Sequence, residues 1–538
     1  MTLQKIQEQL LRWTVTLVAI VGALVLVKKA GEGHYGMVAG AFAAILISAL
    51  LFIMRERTWV LIPIVWPLLG NIPALGVPVT LRDIMVGVVF GIFITLKAFK
   101  LITRKAPWNF AMTIATVVLL YVAISWMRNP TGFAALDSDR VGGRPYFNVC
   151  VALIACWMLR QCSLSSTRPN LLVYAMVFSR TIEGVLGLLI FYFPGLYSIF
   201  SEYYDAPGFT WARSPEEMDI APGEEGSRRW GFLSNAGAAL SLLSLCACRP
   251  ISMLLTRKFW YPALFLLGLL CIFLSGFRSF FGWTMAATLM SSYLRRGWTD
   301  VIKIMISGFV LLCMLILGQG TLYQLPFPMQ RTLCFLPGKW DPIAISDANA
   351  STEWRVEMWK ELLSTNRYIE NHTFGDGFGM RKRDLAVIEW NLRWGDDKDR
   401  QESYMINGGV HSGPVSTIRC LGYVGLVIMV VFEFAIAIRA LKLAHRAKNT
   451  PFQTLAYFIA LQPILDPIFF IFIFGAVEDN IPTGLYNIGM LQMLENSLDD
   501  YEAAQRSEEA REQSAGAPSL RRGLSASPQP ALAVPNRP

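Results

Sequence analysis

Charge is scarce in this chain. Only 16% of its 538 residues are Asp, Glu, Lys or Arg, against 54% that are hydrophobic, and so little polar side chain cannot cover a water-soluble globule of this length. A mean hydropathy of +0.43 agrees. A cysteine framework is missing too: the nine cysteines include no CxxC pair, and all but Cys334 lie in or beside apolar runs, which leaves neither a disulfide scaffold nor zinc spacing. No small-residue cleavage site follows the first apolar run, so that run reads as a span and not as a cleaved leader. No internal repeat emerges of the kind common in transporters. The surplus of +9 charges is scattered through short loops, where it reads as a topology signal and not as a nucleic-acid footprint.

What is present is a succession of apolar runs. An amphipathic start, Met1 to Trp13, leads into a run ending at Lys28-Lys29. Further runs lie at about 36–54, 58–75, 81–98, 109–127, 146–161 and 171–195, then 232–249, 258–276, 278–294 and 300–319, and finally 411–439, 452–476 and 482–496. Each is near the roughly 20 residues a bilayer demands. The predicted fold is therefore all-α, a polytopic transmembrane bundle of about 12–14 spans. Residues 1–319 carry the first eleven spans, 320–410 a large polar loop, 411–496 the last spans, and the Glu-rich, then Ser-, Ala- and Pro-rich tail 497–538 is expected to be disordered.

Basic residues set an orientation. With the N-terminus cytoplasmic, one set of loops holds Lys97, Lys100, Arg104, Lys105, Arg295, Arg296, Arg439, Lys442, Arg446 and Lys448 among others, and the opposite short loops are poorer in Lys and Arg. The positive-inside rule then makes both termini cytoplasmic. The loops at 196–231 and 320–410 and the turn at 276–278 fall outside.

Arg228, Arg229, Arg278, Arg355 and His411 all fall on that outer side. Guanidinium groups gathered at a bundle mouth are costly unless solvated or paired, and the planar fork of Arg matches a diphosphate; an arginine at a span end also snorkels to headgroups. Within the large loop, Ser351 or Thr352 is placed to cap a helix whose Trp354, Met358 and Leu362 share one face, with Arg355 and Trp359 beside the stripe. That helix would lie against the membrane surface or over the bundle mouth. Gly375-Asp376-Gly377-Phe378-Gly379 follows, either a plain turn or a nest of amides able to hold an anion. Inside the spans, Arg180 and Glu183 are three apart and are expected to pair, Glu433 and Asp466 are groups a proton-coupled transporter would use, and Asp83 suits a helix N-terminus.

His411-Ser412, nine residues and then Gly422-x-x-Gly425 resembles the histidine motif of the bacterial O-antigen ligase and O-antigen polymerase-like membrane glycosyltransferases. The resemblance covers roughly 228–440. Arg228-x-x-Gly231 with Asn235 stands where the family opens a span, Arg355, Trp359 and Gly375 to Gly379 match its Arg, Trp and glycine-rich turn, and Phe277-Arg278-Ser279 keeps only the arginine of its Ser-Arg-Gly turn. The resemblance implies a GT-C-like, metal-independent enzyme with no cofactor and one large periplasmic loop in the bacterial inner membrane. It implies a polyprenyl-diphosphate-linked glycan donor and a lipid A-core or other glycan or lipid acceptor, with membrane lipid and no nucleic acid as the remaining surroundings. Within it, His411 serves as base, Arg228, Arg229, Arg278 and Arg355 bind the diphosphate, and Gly422 and Gly425 shape the motif. No DxD-like cluster lies beside these residues to hold a metal. A ligase and a repeat-unit polymerase would use the same residues; a secondary transporter or flippase would use the intramembrane charges instead.

Overall fold

The computed structural model describes residues 55–73, 79–133, 138, 140–212, 229–255, 259–395 and 397–516. The expected first spans, Arg228 and the end of the tail lie outside them. The described chain is an all-α bundle, built from α1 (Leu61–Val65), α2 (Leu81–Ala98), α3 (Phe110–Arg128), α4 (Arg144–Leu159), α5 (Asn170–Tyr192), α6 (Leu196–Tyr203), α7 (Ser234–Ala247), α8 (Trp260–Ser275), α9 (Arg278–Arg296), α10 (Trp298–Gly318), α11 (Phe327–Leu333), α12 (Pro342–Ser364), α13 (Lys382–Trp394), α14 (Asp397–Asn407), α15 (Gly413–Arg446), α16 (Gln453–Phe472) and α17 (Val477–Gly516). Among the described residues, α3, α5, α10, α15 and α16 are long and apolar enough to cross a membrane, which marks a membrane protein. Shorter apolar helices such as α4 and α8, 16 residues each, rise only about 24 Å.

Local chemistry explains where these helices begin and stop. Thr80 and Asp83 form a reciprocal capping box at the start of α2, so the expected N-terminal role of Asp83 holds, reinforced by ion pairs to Arg82 and Arg144. Asn109 caps α3 through the Met112 amide. Gly276, at φ 70, ends α8 in the left-handed conformation and lets α9 start two residues later at Arg278. The core lies where α15, α16 and α17 meet α4, with Phe432, Tyr457, Leu485 and Met158 buried.

Three expectations about the bundle and the tail change. The run at 58–75 is not one helix: a 3-10 stretch, Arg55–Val60, and the five-residue α1 are followed by Pro67 and Gly70 in irregular chain, where the proline has no N–H to continue a helix. The segment expected to be disordered from Ser497 continues α17 as helix to Gly516. Its acidic residues answer basic partners, since Arg104 meets Asp500 at 2.9 Å and Arg446 meets Asp499 at 2.6 Å and Glu502 at 2.8 Å. Arg180 and Glu183 do not pair with each other: Glu183 accepts the Tyr204 hydroxyl, while Arg180 reaches Gln462 at 3.4 Å and lies over Phe458.

The polar stretch 320–410 folds onto the bundle. A two-residue antiparallel ribbon, β1 (Arg140–Val141) with β2 (Met380–Arg381), ties it to the chain before α4. Met358 and Leu362 of α12 bury against Val410, Val415 and Ile418, and each such side chain contributes about 1.5–3 kcal/mol. α12 begins nine residues before the expected caps, at Pro342 with Asp341 accepting the Ile343 amide; Ser351 and Thr352 lie within it. Proline at the first helical position and an aspartate cap are a stronger start signal than a serine in mid-run.

Candidate active site

Gly408 (φ 84), Gly409 and Val410 lead the chain into α15, and the Trp359 indole N–H donates to the Val410 carbonyl at 2.7 Å. His411 follows with φ 53, a left-handed backbone that costs a non-glycine residue on the order of 1–2 kcal/mol and clusters at functional positions. Its ring stacks on Phe474 at 5.4 Å and meets Tyr404 at 5.9 Å and the edge of Trp354 at 6.3 Å. Three aromatic neighbours thus fix the imidazole, and neither ring nitrogen has a hydrogen-bond partner among the described residues. Burial first, and then the charge of Arg355, lower its pKa below the ordinary histidine value, so the neutral, proton-accepting form prevails near pH 7.

The arginines converge on one face of α12. Arg278 donates to the Ala348 carbonyl at 3.1 Å and to Thr352 Oγ1 at 3.3 Å, Arg229 pairs with Asp347 at 3.1 Å, and Arg331 of α11 pairs with the same carboxylate. Arg355 lies one turn beyond Thr352. Its Nε is buried without a hydrogen-bond partner, and its guanidinium sits 5.9 Å from the Trp354 ring centroid. The structure thus brings Arg229 and Arg278 onto α12, which carries Arg355, with His411 close enough to feel the Arg355 charge.

Like charge makes this arrangement expensive. Burial and then the Arg331 charge push the pKa of Arg229 down to about 10, and burial followed by Arg278 and Arg331 lowers that of Arg355. Burial alone would raise the Asp347 carboxyl, but hydrogen bonds and charge from Arg331 and Arg229 outweigh it and hold the group below the usual carboxylate range. Among the described residues Asp347 pairs with Arg229 and Arg331 alone, while Arg278 bonds a carbonyl and a hydroxyl, which leaves a surplus of positive charge suited to a polyanion.

Gly422 and Gly425 have distinct jobs. α15 is broken at Gly422, whose φ of 72 and ψ of −177 are not helical. The segment 371–377 fills the gap: the amides of Asp376 and Gly377 donate to the carbonyls of Arg419 and Cys420 at 2.9 and 2.8 Å, and the amides of Tyr423 and Val424 donate to His372 and Thr373. The Tyr121 hydroxyl donates to the Leu421 carbonyl at 2.8 Å. A side chain at Gly422 would meet the Thr373 carbonyl, and one at Gly375 would meet the Cys420–Leu421 peptide, whereas Gly425 leaves room first for the Leu421 side chain and then for Tyr121. The glycine-rich turn is therefore a structural plug. The amides of Gly375, Asp376 and Gly377 are spent on Asn371, Arg419 and Cys420 and hold no anion.

Arg331 and Asp347 escape notice in the sequence. Arg331 stands alone in PFPMQRTLCFL and Asp347 in an unremarkable polar run; a mixed helix start at Pro342 is the one signal that puts Asp347, Thr352 and Arg355 on a shared face. Among the described residues, no three His, Cys, Asp or Glu side chains gather as a metal site. A scan against protein-family models and a search of curated proteins found no match to the chain.

Proposed function

We propose that this protein is a membrane glycosyltransferase of the O-antigen ligase type, moving a glycan from a polyprenyl diphosphate to an acceptor hydroxyl at the periplasmic face of the bacterial inner membrane. The observation that carries this reading is the convergence of Arg229, Arg278 and Arg355 on α12 beside a neutral, unpaired His411. In the reaction, the acceptor oxygen attacks the anomeric carbon of the donor sugar while His411 takes the hydroxyl proton. The bond between that carbon and the phosphate oxygen breaks, and the diphosphate leaves with its electron pair under the guanidiniums. No metal is required, because fixed arginines do the electrostatic work. On this reading the fold is GT-C-like with about 12–14 spans, stretch 320–410 is a periplasmic loop, both termini are cytoplasmic, and Arg228 joins the arginines.

Ligase and polymerase differ only in the acceptor, lipid A-core or another carrier-linked glycan. A transporter reading has one specific observation in its favour, the polar groups Arg180, Gln462, Glu433 and Asn480 within the bundle. Reconstituted protein supplied with labelled polyprenyl-diphosphate glycan and an acceptor separates these classes. Covalent transfer supports the enzyme, and movement across the bilayer without transfer overturns it.

A further inference from the structure

We infer that Arg331 is a positioning residue, a buried brace that acts through Asp347 and the Gly276 turn to hold Arg229 and Arg278 where an anion can bridge them and Arg355. The inference rests on the donor-binding reading above. It concerns how the binding arginines are held and adds a residue that does not itself touch the donor.

Arg331 is only 3% exposed, too deep for contact with a bulky ligand. It nevertheless has two specific partners, Asp347 through Nε and the Gly276 carbonyl through a terminal nitrogen at 3.0 Å. Each partner leads directly to a binding arginine. Asp347 also receives Arg229, and the stem of Arg229 packs over Gly276, since a Cβ built there would lie 3.2 Å from Arg229 Cγ. Gly276 in turn is two residues from Arg278, whose own guanidinium grips the Ala348 carbonyl next to Asp347. The brace thus closes a ring through the α8–α9 turn, α11 and α12.

Energetics favours a purpose for this ring. Burying a guanidinium beside like charges is unfavourable, and an apolar side chain at 331 would fill the space without repulsion. The cost is offset by geometry: α11, α12 and the 276–278 turn come from separate stretches of sequence, and the carboxylate and carbonyl that Arg331 holds are what align them. Asp347 occupies the middle of this ring as an orienting group. An alternative role for it, that of an anion competing with the ligand, makes the opposite prediction.

Binding of inorganic pyrophosphate to the purified full-length protein in lipid nanodiscs tests the brace, with melting temperature as the check on folding. Arg331→Gln is expected to weaken pyrophosphate binding by about thirtyfold, the order of a lost charge-assisted contact. Arg331→Lys should not restore it, because one ammonium cannot serve both partners in the fork geometry. Asp347→Asn is expected to weaken binding several-fold although it removes a negative charge; tighter binding would make Asp347 a competing anion and overturn the brace. In the double variant the two losses should not add, since both act on the same ring. Unchanged binding in Arg331→Gln, full rescue by lysine, or additive losses would each sink the inference. If the wild type transfers glycan while Arg331→Gln does so with an unchanged donor KM, the brace fails and the functional reading stands. If pyrophosphate binding shows the expected pattern and no donor is ever turned over, the brace stands and the functional reading fails.

Discussion

Trp359 and Val410 are joined by a 2.7 Å hydrogen bond from the indole N–H to the main-chain carbonyl, and His411 is the next residue along. The bond therefore anchors the left-handed turn that presents the imidazole. Trp359→Phe keeps most of the ring volume but leaves that carbonyl without its donor, a loss of about 1 kcal/mol. A fall in kcat of roughly fivefold follows, with donor affinity unchanged, measured by initial rates at saturating donor.

Removal of the imidazole itself should be far more severe. His411→Ala is expected to lose about a hundred- to ten-thousandfold in transfer, the usual scale of general acid–base catalysis, while still binding pyrophosphate. Transfer at the wild-type rate would return His411 to the part of an interfacial anchor.

The pH profile gives an independent check. Because burial and Arg355 lower the His411 pKa, the imidazole stays neutral as pH falls through about 6.5, the unperturbed value, and the proposed base is lost only below it. The acid limb of kcat against pH should lie under that value in the wild type. In Arg355→Gln one of the two causes is gone, so the limb should move upward toward it; a limb that stays in place would show that Arg355 does not act on His411.

Arg278 is tested by a conservative exchange. Its guanidinium already spends one terminal nitrogen on Ala348 and Thr352, leaving other N–H groups for the ligand. Arg278→Lys keeps the charge and loses the fork, at a cost on the order of 2 to 4 kcal/mol, or roughly a thirty- to thousandfold fall in kcat/KM for donor. Parity with the wild type would mean that point charge alone suffices there.

Orientation is the remaining test. A topology reporter fused after Asp341 should report the periplasm and one after Lys448 the cytoplasm. The same compartment for both would dissolve the proposed outer site.

Much of this was legible because it depends on local pattern. Apolar runs foretell helices α2 to α5, α7 to α10 and α15 to α17, since burial and backbone satisfaction in a membrane leave few other options, and the near absence of a loop at 276–278 foretells the tight α8–α9 turn. Gly422 was legible only as a motif position; that it breaks α15 depends on segment 371–377 arriving to replace the lost hydrogen bonds. Arg331 and Asp347 were invisible because their meaning comes from long-range pairing, 331 with 276 and 347 with 229, and single charges in a polar loop carry no period. Arg180 and Glu183 show the converse. Helical spacing made them neighbours, but Gln462 and Tyr204 from other segments proved closer partners.

The broken helix has a consequence for how the protein is made. In a bilayer, α15 cannot leave main-chain groups around Gly422 bare, and their partners come from a stretch synthesised before the helix itself. On the proposed topology, segment 371–377 must already be across the membrane and folded back when α15 settles, so assembly there would run from the exterior inward; on either topology α15 is a span that the lipid alone cannot complete. Cutting the chain within 371–377, or crowding the junction with Gly422→Ala, would leave a transmembrane segment with unanswered amides and carbonyls, and pulse-chase protease protection should show that span slipping or being degraded while α16 and α17 remain inserted.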